Sequence, residues 1–181
     1  MTTAIFGHAL PLTEAEFLAL EPTNERVELF DGSLYVTPAP TPRHQLISRR
    51  LANLLDVRPE LTVLEAVNVR LHEGRIPIPD LVITTAINLD DSVIDASAVQ
   101  LVCEIVSPSN AAADRVLKMH YYAVAGIPWY LLVEQESAAL HLFTLSGDRY
   151  HEFAGAGPGE SLRLTEPVEV TIAPEDLLPP R

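Results

Sequence analysis

Hydrophobic and polar positions along the chain change period several times, and each change marks an element. Leu12-Thr13-Glu14-Ala15-Glu16 carries a helix-start signature, with Thr13 as N-cap and Glu16 three residues on. A short helix is expected from about Glu14 to Leu20, stopped by Pro22-Thr23-Asn24. The pattern then turns to alternation. Arg26–Phe30 and Ser33–Val36 flank Asp31-Gly32, a dipeptide suited to a tight hairpin turn. In the first of these strands Val27 and Leu29 share one face and Arg26, Glu28 and Phe30 the other. Glu28 is thereby placed beside an aromatic residue, and spacing alone leaves open whether it is exposed or buried.

A proline-rich connector, Thr37-Pro38-Ala39-Pro40-Thr41-Pro42, leads into a helix capped by Thr41. Leu46, Ile47, Leu51, Leu54 and Leu55 recur at helical spacing to about Val57. The other side of this helix holds Arg43, His44, Arg49 and Arg50, the densest basic group in the chain. The plainer reading is a solvated helix face; the alternative is a surface that faces phosphates. Leu61–Leu71 reads as one or two strands, and Glu73-Gly74-Arg75 as a turn. Pro77 and Pro79 forbid a central ladder between them, so proper pairing is expected only after Asp80.

Two apolar runs follow, each with one acid: Pro79-Asp80-Leu81-Val82-Ile83 and Leu101-Val102-Cys103-Glu104-Ile105-Val106. The intervening Thr84–Ala98 reads as loop with one short helical turn. A continuous apolar run describes a strand buried on both faces, and a carboxylate inside one requires a partner. A helix from Asn110 to Ala125 then places Asp114, Lys118 and Tyr122 along one side, with Gly126 as C-cap. Trp129–Val133 is another buried strand, completing a strand–helix–strand unit. Ala139–Leu145, Arg149–Phe153, Leu162–Leu164 and Val168–Ile172 are expected as flanking antiparallel strands. The whole, residues 1–181, reads as one domain of mixed α/β class.

Composition then narrows the chemistry. Nearly half the residues are apolar, which excludes a disordered chain, and no apolar run approaches a membrane span. The start lacks a secretory pattern, and the lone Cys103 fits a core position in a reducing cytoplasm. The formal net charge is −13, with 12 Lys+Arg of which Lys118 is the sole lysine. That balance argues against tight, sequence-independent gripping of duplex DNA by a single subunit. Zinc-type histidine spacing, a phosphate loop and a serine nucleophile elbow are all missing from the sequence.

What remains is acidic. Carboxylates at Asp80 and Glu104 offer hard oxygen ligands for Mg²⁺ or Mn²⁺. A cation so held polarises a phosphate oxygen and acidifies water, and an ammonium at Lys118 could orient that water. The set describes metal-assisted phosphodiester hydrolysis.

The ordered motifs Arg26-Val27-Glu28-Leu29-Phe30-Asp31-Gly32, Pro40-Thr41-Pro42-Arg43-His44, Pro79-Asp80, Glu104-Ile105-Val106-Ser107-Pro108-Ser109, Asp114, Lys118, Tyr122 and Gly126-Ile127-Pro128-Trp129-Tyr130 resemble one family. It is the Uma-type endonuclease family, in the restriction-endonuclease-like superfamily named for its PD-(D/E)XK motif. The resemblance runs from Leu12 to about Leu177. It implies a mixed sheet flanked by helices, with Asp80, Glu104 and the Ile105 carbonyl as metal ligands. The superfamily lysine normally stands two residues after the second acid, where this chain has Val106; in the family it comes from the next helix, at Lys118. Glu28 matches the family's additional acid, a ligand or water-orienting group, and His44, Asp114 and Tyr122 match secondary positions. Glu134 stands where the family more often has aspartate. Also implied are a DNA substrate, 5′-phosphate and 3′-hydroxyl products, and a homodimer. The negative charge motivates a rival reading, a non-catalytic interaction module that retains the nuclease fold; RNA or branched DNA are further possible substrates.

Overall fold

The structure, a computed structural model, describes residues 11–20, 25–106 and 114–179, with the side chains of Asp114 and Arg115 left out. The elements follow the sequence pattern closely. Thr13 caps α1 (Glu14–Leu18): its hydroxyl accepts from the Glu16 N–H, and the Glu16 carboxylate accepts from the Thr13 N–H. The helix ends two residues before the expected Leu20, and residues 21–24 lie outside the described ones. β1 (Arg26–Phe30) and β2 (Ser33–Thr37) form the hairpin. Its turn needs left-handed backbone at both central positions, φ 50° at Asp31 and 81° at Gly32. At Gly32 a Cβ would also stand 2.4 Å from Pro11 Cβ, so no other residue fits.

Thr41 caps α2 (Pro42–Leu55), which stops two residues short of Val57. The expected stretch Leu61–Leu71 resolves into β3 (Thr62–Glu65) and β4 (Val69–Arg70). After the Gly74 turn comes β5 (Arg75–Ile76), and, as the prolines dictate, pairing in the main sheet resumes only at β6 (Leu81–Thr84). The loop that follows holds two-residue β7 (Ile94–Asp95) and a 3-10 turn at Ala96–Ala98. β8 (Val99–Val106) starts two residues earlier than the apolar run. A π-helical turn (Asp114–Lys118) leads into α3 (Met119–Val124), where an uninterrupted α-helix is expected. β9 (Trp129–Glu134), β10 (Leu140–Ser146), β11 (Arg149–Ala156), β12 (Leu162–Leu164), β13 (Val170–Ile172) and α4 (Pro174–Leu177) complete the chain.

The main sheet has the order β11-β10-β9-β8-β6-β3, and a smaller one the order β2-β1-β5. Within the main sheet β8 and β9 run parallel, as a strand–helix–strand unit requires, and every other pair is antiparallel. Alternation along β6 and β8 sends side chains to two apolar layers. Leu81, Ile83, Leu101, Cys103 and Ile105 meet Ile47, Leu51 and Leu55 of α2. Val82, Val102 and Val106 meet Tyr122 and Ile127 on the opposite side. Cys103 is fully buried in the first layer, where burial pushes its thiol pKa up; it is a packing residue. Leu12, Phe17, Leu29 and Ile76 seal the far face of the hairpin.

This architecture fixes the acids. β6 and β8 pair with Leu81 opposite Cys103. One step outward along this antiparallel register, Asp80 falls opposite Glu104, so the two acids stand beside each other at the same end of neighbouring strands.

Candidate active site

Three acids and one lysine are drawn out of water onto the rim of a single cleft. Glu28, Asp80 and Glu104 are 2%, 5% and 2% exposed and Lys118 8%. All four line a cleft of about 520 Å³, together with Arg26, Phe30, Tyr35, His44 and Ile105. Burial of ionised groups is tolerable only where partners neutralise them, and each acid has its own set.

Asp80 sits in a cage of donors. Arg26 Nη1 lies 2.6 Å from Oδ1, while His44 Nε2 at 3.1 Å and the Ile105 N–H at 2.7 Å share Oδ2. Burial alone would raise the Asp80 pKa, but the His44 hydrogen bond, the Arg26 charge and the Ile105 N–H together hold it well below the usual carboxylate range. For Arg26, burial acts to lower the guanidinium pKa, and the surrounding charges of Asp80, Glu104 and Glu28 drive it upward instead. Arg26 is therefore a fixed positive charge.

Glu28 and Glu104 share a different cation. Lys118 Nζ is 3.0 Å from Glu28 Oε1 and 3.2 Å from Glu104 Oε1. The Tyr122 hydroxyl donates to that same Glu104 oxygen at 2.6 Å. Glu28 Oε1 also accepts from the Ile78 N–H at 2.7 Å. Ile78 stands between two prolines that have no N–H to give, so the main-chain proton that a strand would use goes to the acid instead. The spacing of Lys118 and Tyr122, one turn apart, brings both to Glu104.

The structure thus gathers Glu28, Asp80, Glu104, Lys118, Ile105, His44 and Tyr122 into one region. The remaining residue singled out in the sequence, Asp114, has a side chain outside the described ones. Two participants escaped the sequence reading. Arg26 precedes Glu28 by two residues on the same strand face, a spacing that already put its side chain on the side of the acid. Ile78 acts through its backbone, and only the fold reveals which group its N–H meets. The basic side of α2 is a solvated face in part, Arg43 and Arg49 being exposed. Arg43 donates to the Glu136 carbonyl at 3.2 Å, Arg50 donates to the carbonyls of Asp176 and Leu178, and His44 turns inward to Asp80; Arg49 is exposed.

The chemistry of the donor set fits a hard divalent cation, since the acids supply oxygens only. Three carboxylates against Arg26 and Lys118 leave one negative charge in excess. An extended strand sends a residue's N–H and C=O to the same edge. The Ile105 carbonyl therefore leaves β8 toward Asp80, as its N–H does. Among the described residues, however, no three His, Cys, Asp or Glu side chains already form a chelating cluster.

A family model for Uma2, with the description "Putative restriction endonuclease", matches residues 14–175. The chain belongs to the Uma2 family. Its fold is also that of a solved structure, described as a "putative nuclease belonging to DUF820" from Anabaena variabilis. The two superpose with a TM-score of 0.74 at 15% identity, over 92% of this chain and 97% of the other. Among curated proteins, none matches. The mixed sheet with flanking helices is accordingly the restriction-endonuclease-like fold. Among the described residues, no helix is long and apolar enough to cross a membrane.

Proposed function

We propose that this Uma2 protein is a divalent-metal-dependent nuclease that hydrolyses DNA phosphodiester bonds to 5′-phosphate and 3′-hydroxyl ends. Asp80, Glu104 and the Ile105 carbonyl hold Mg²⁺ or Mn²⁺, and when bound that ion supplies Lewis acidity toward the phosphate. Lys118 orients the attacking water and, as a cation, offsets charge developing on the phosphate. Glu28 keeps the ammonium in place and accepts a proton from the water. Tyr122 and His44 position Glu104 and Asp80. The observation that carries this reading is Lys118 Nζ, held 3.0 Å from Glu28 and 3.2 Å from Glu104 in an otherwise acidic cleft.

The test is cleavage of supercoiled, linear and single-stranded DNA with Mg²⁺ or Mn²⁺, with Glu104→Ala and Lys118→Ala proteins alongside. Cutting by wild type and by neither variant is the expected result. Cutting by all three alike, or by none, overturns the proposal. A second reading, a non-catalytic interaction module, is favoured by one observation: both Asp80 oxygens already have protein donors. It predicts no divalent-cation binding and no salt dependence of DNA association.

A further inference from the structure

Next to the reacting groups, the cleft wall is aromatic. β1 and β2 pair with Glu28 directly across from Tyr35. Directly opposed residues of an antiparallel pair share a face, with Cβ atoms about 5 Å apart. Tyr35 therefore stands beside the acid that holds Lys118. It is 48% exposed, on the edge strand of its sheet, a costly place for a large ring with nothing to stack on. Its support is rigid. Phe30 meets it edge-on at 5.3 Å, Tyr121 stacks on Phe30 at 5.5 Å, and the Arg75 guanidinium lies 4.1 Å over the Tyr121 ring. Tyr35 and Phe30 both line the cleft.

The cations show the same economy. Gripping a duplex means neutralising a run of phosphates, yet 12 Lys+Arg stand against 25 Asp+Glu. On α2, Arg43 and Arg50 donate to carbonyls of this chain and His44 is engaged with Asp80. Of the cations on α2 only Arg49 stands exposed with no partner among the described residues, and inside the cleft the one guanidinium is that of Arg26, whose Nη1 meets Asp80 while Nε and Nη2 are buried and find no acceptor among the described residues. The Arg26 side chain lines the cleft and is 20% exposed, and a guanidinium so placed suits a phosphate. One such ligand beside an open tyrosine matches a nucleotide or two, and a cleft of about 520 Å³ has that scale too.

We propose that the cleft takes single-stranded DNA, one phosphate on Arg26 and Lys118 and the adjoining base stacked on Tyr35. The inference rests on the nuclease reading and narrows it to unpaired substrate. Stacking on an aromatic platform works for any base, so recognition is of strandedness and not of sequence.

The experiment compares a short oligodeoxynucleotide carrying one 2-aminopurine with the same strand annealed to its complement. Binding is followed by fluorescence with Ca²⁺, cleavage with Mg²⁺, for wild type, Tyr35→Ala and Tyr35→Phe. The single strand is expected to bind tighter than the duplex and to show stacking-dependent quenching. Tyr35→Ala should weaken its binding about tenfold, the loss of one stacked base, while Tyr35→Phe keeps it. Equal or tighter binding of the duplex, or undiminished binding by Tyr35→Ala, overturns the inference. Duplex cleavage that needs Lys118 but not Tyr35 does so while leaving the nuclease reading intact. Tyr35-dependent binding by a protein that cuts neither form overturns the nuclease reading alone.

Discussion

Tyr122 donates its hydroxyl to Glu104 Oε1 at 2.6 Å, and both side chains are buried. Burial first, then the charges of Glu104 and Glu28, push the Tyr122 pKa well above the phenol range, so the hydroxyl remains a donor. The same oxygen receives Lys118 at 3.2 Å. Glu104 is thus oriented by two groups one helical turn apart, and the acid on the strand is positioned by the helix that connects it to the next parallel strand.

Removing that donor should be felt in stability as well as in rate. Tyr122→Phe keeps the ring in the layer with Ile127 and Tyr130 and deletes only the hydroxyl. A hydrogen bond to a charged group is worth about 1.5–3 kcal/mol, and a loss of that size is expected in urea unfolding. Cleavage should fall but persist, because Lys118 still holds Glu104. An unchanged unfolding midpoint would show that the hydroxyl does not support the acid.

Lys118 bridges two buried carboxylates, and its loss removes the cation that they share. Lys118→Met is expected to destabilise by about 3–5 kcal/mol, the range for a broken buried ion pair, and to abolish cleavage. Adding Glu28→Gln removes one of the two charges and should return a measurable part of the stability without any activity. If the double variant is no more stable than the single one, repulsion between Glu28 and Glu104 is not the cause.

The core of the fold was legible from period alone: the hairpin at Asp31-Gly32, the two buried runs and the end of the helix before β9 stand near their expected places, while the expected helix start, residues 110–113, lies outside the described ones. Short elements were not. β7 is two residues long, too short for any period, and it exists because the Ile94 N–H reaches the Asn68 carbonyl. The π-helical turn at Asp114–Lys118 leaves no mark in spacing either. Within the site, Asp80 and Glu104 announced themselves as acids in apolar runs. Arg26 did not, because an arginine on a half-buried strand is ordinary until its partner is known. Arg50 misled for the converse reason: composition shows a cation, but not the backbone carbonyls of Asp176 and Leu178 that it meets.

On the proposed reading, Arg26 and a divalent cation compete for one carboxylate. Arg26 Nη1 occupies Asp80 Oδ1 at 2.6 Å, so a bound ion must share or displace that contact. Wild type is expected to gain about 2.7 kcal/mol of unfolding free energy when Mg²⁺ or Mn²⁺ reaches a hundredfold excess over its dissociation constant. Asp80→Asn and Glu104→Gln should gain nothing. Arg26→Gln should bind Mn²⁺ more tightly in calorimetry and yet cut DNA more slowly, since the phosphate ligand is gone. Weaker Mn²⁺ binding by Arg26→Gln would rule out the competition.

The hairpin turn has its own titrating lock. Arg75 donates two hydrogen bonds to Asp31, Nε to Oδ1 and Nη2 to Oδ2, each 2.9 Å long, and the same guanidinium covers the Tyr121 ring beneath Phe30. The Arg75 hydrogen bonds lower the Asp31 pKa below its ordinary 3.8. A carboxyl whose folded pKa is depressed stabilises fully above its unfolded value, and that contribution disappears as pH falls through the folded value. Asp31→Asn retains a residue that tolerates the left-handed φ of 50° and removes the charge together with one of the two acceptors that Arg75 uses. The pair is largely solvated, so the expected loss at neutral pH is under about 1 kcal/mol, and less in high salt. Urea midpoints of wild type and Asp31→Asn should differ at neutral pH and converge as the solution is taken below the ordinary carboxyl value. A difference that stays constant through that range would assign the effect to turn geometry and not to the ion pair.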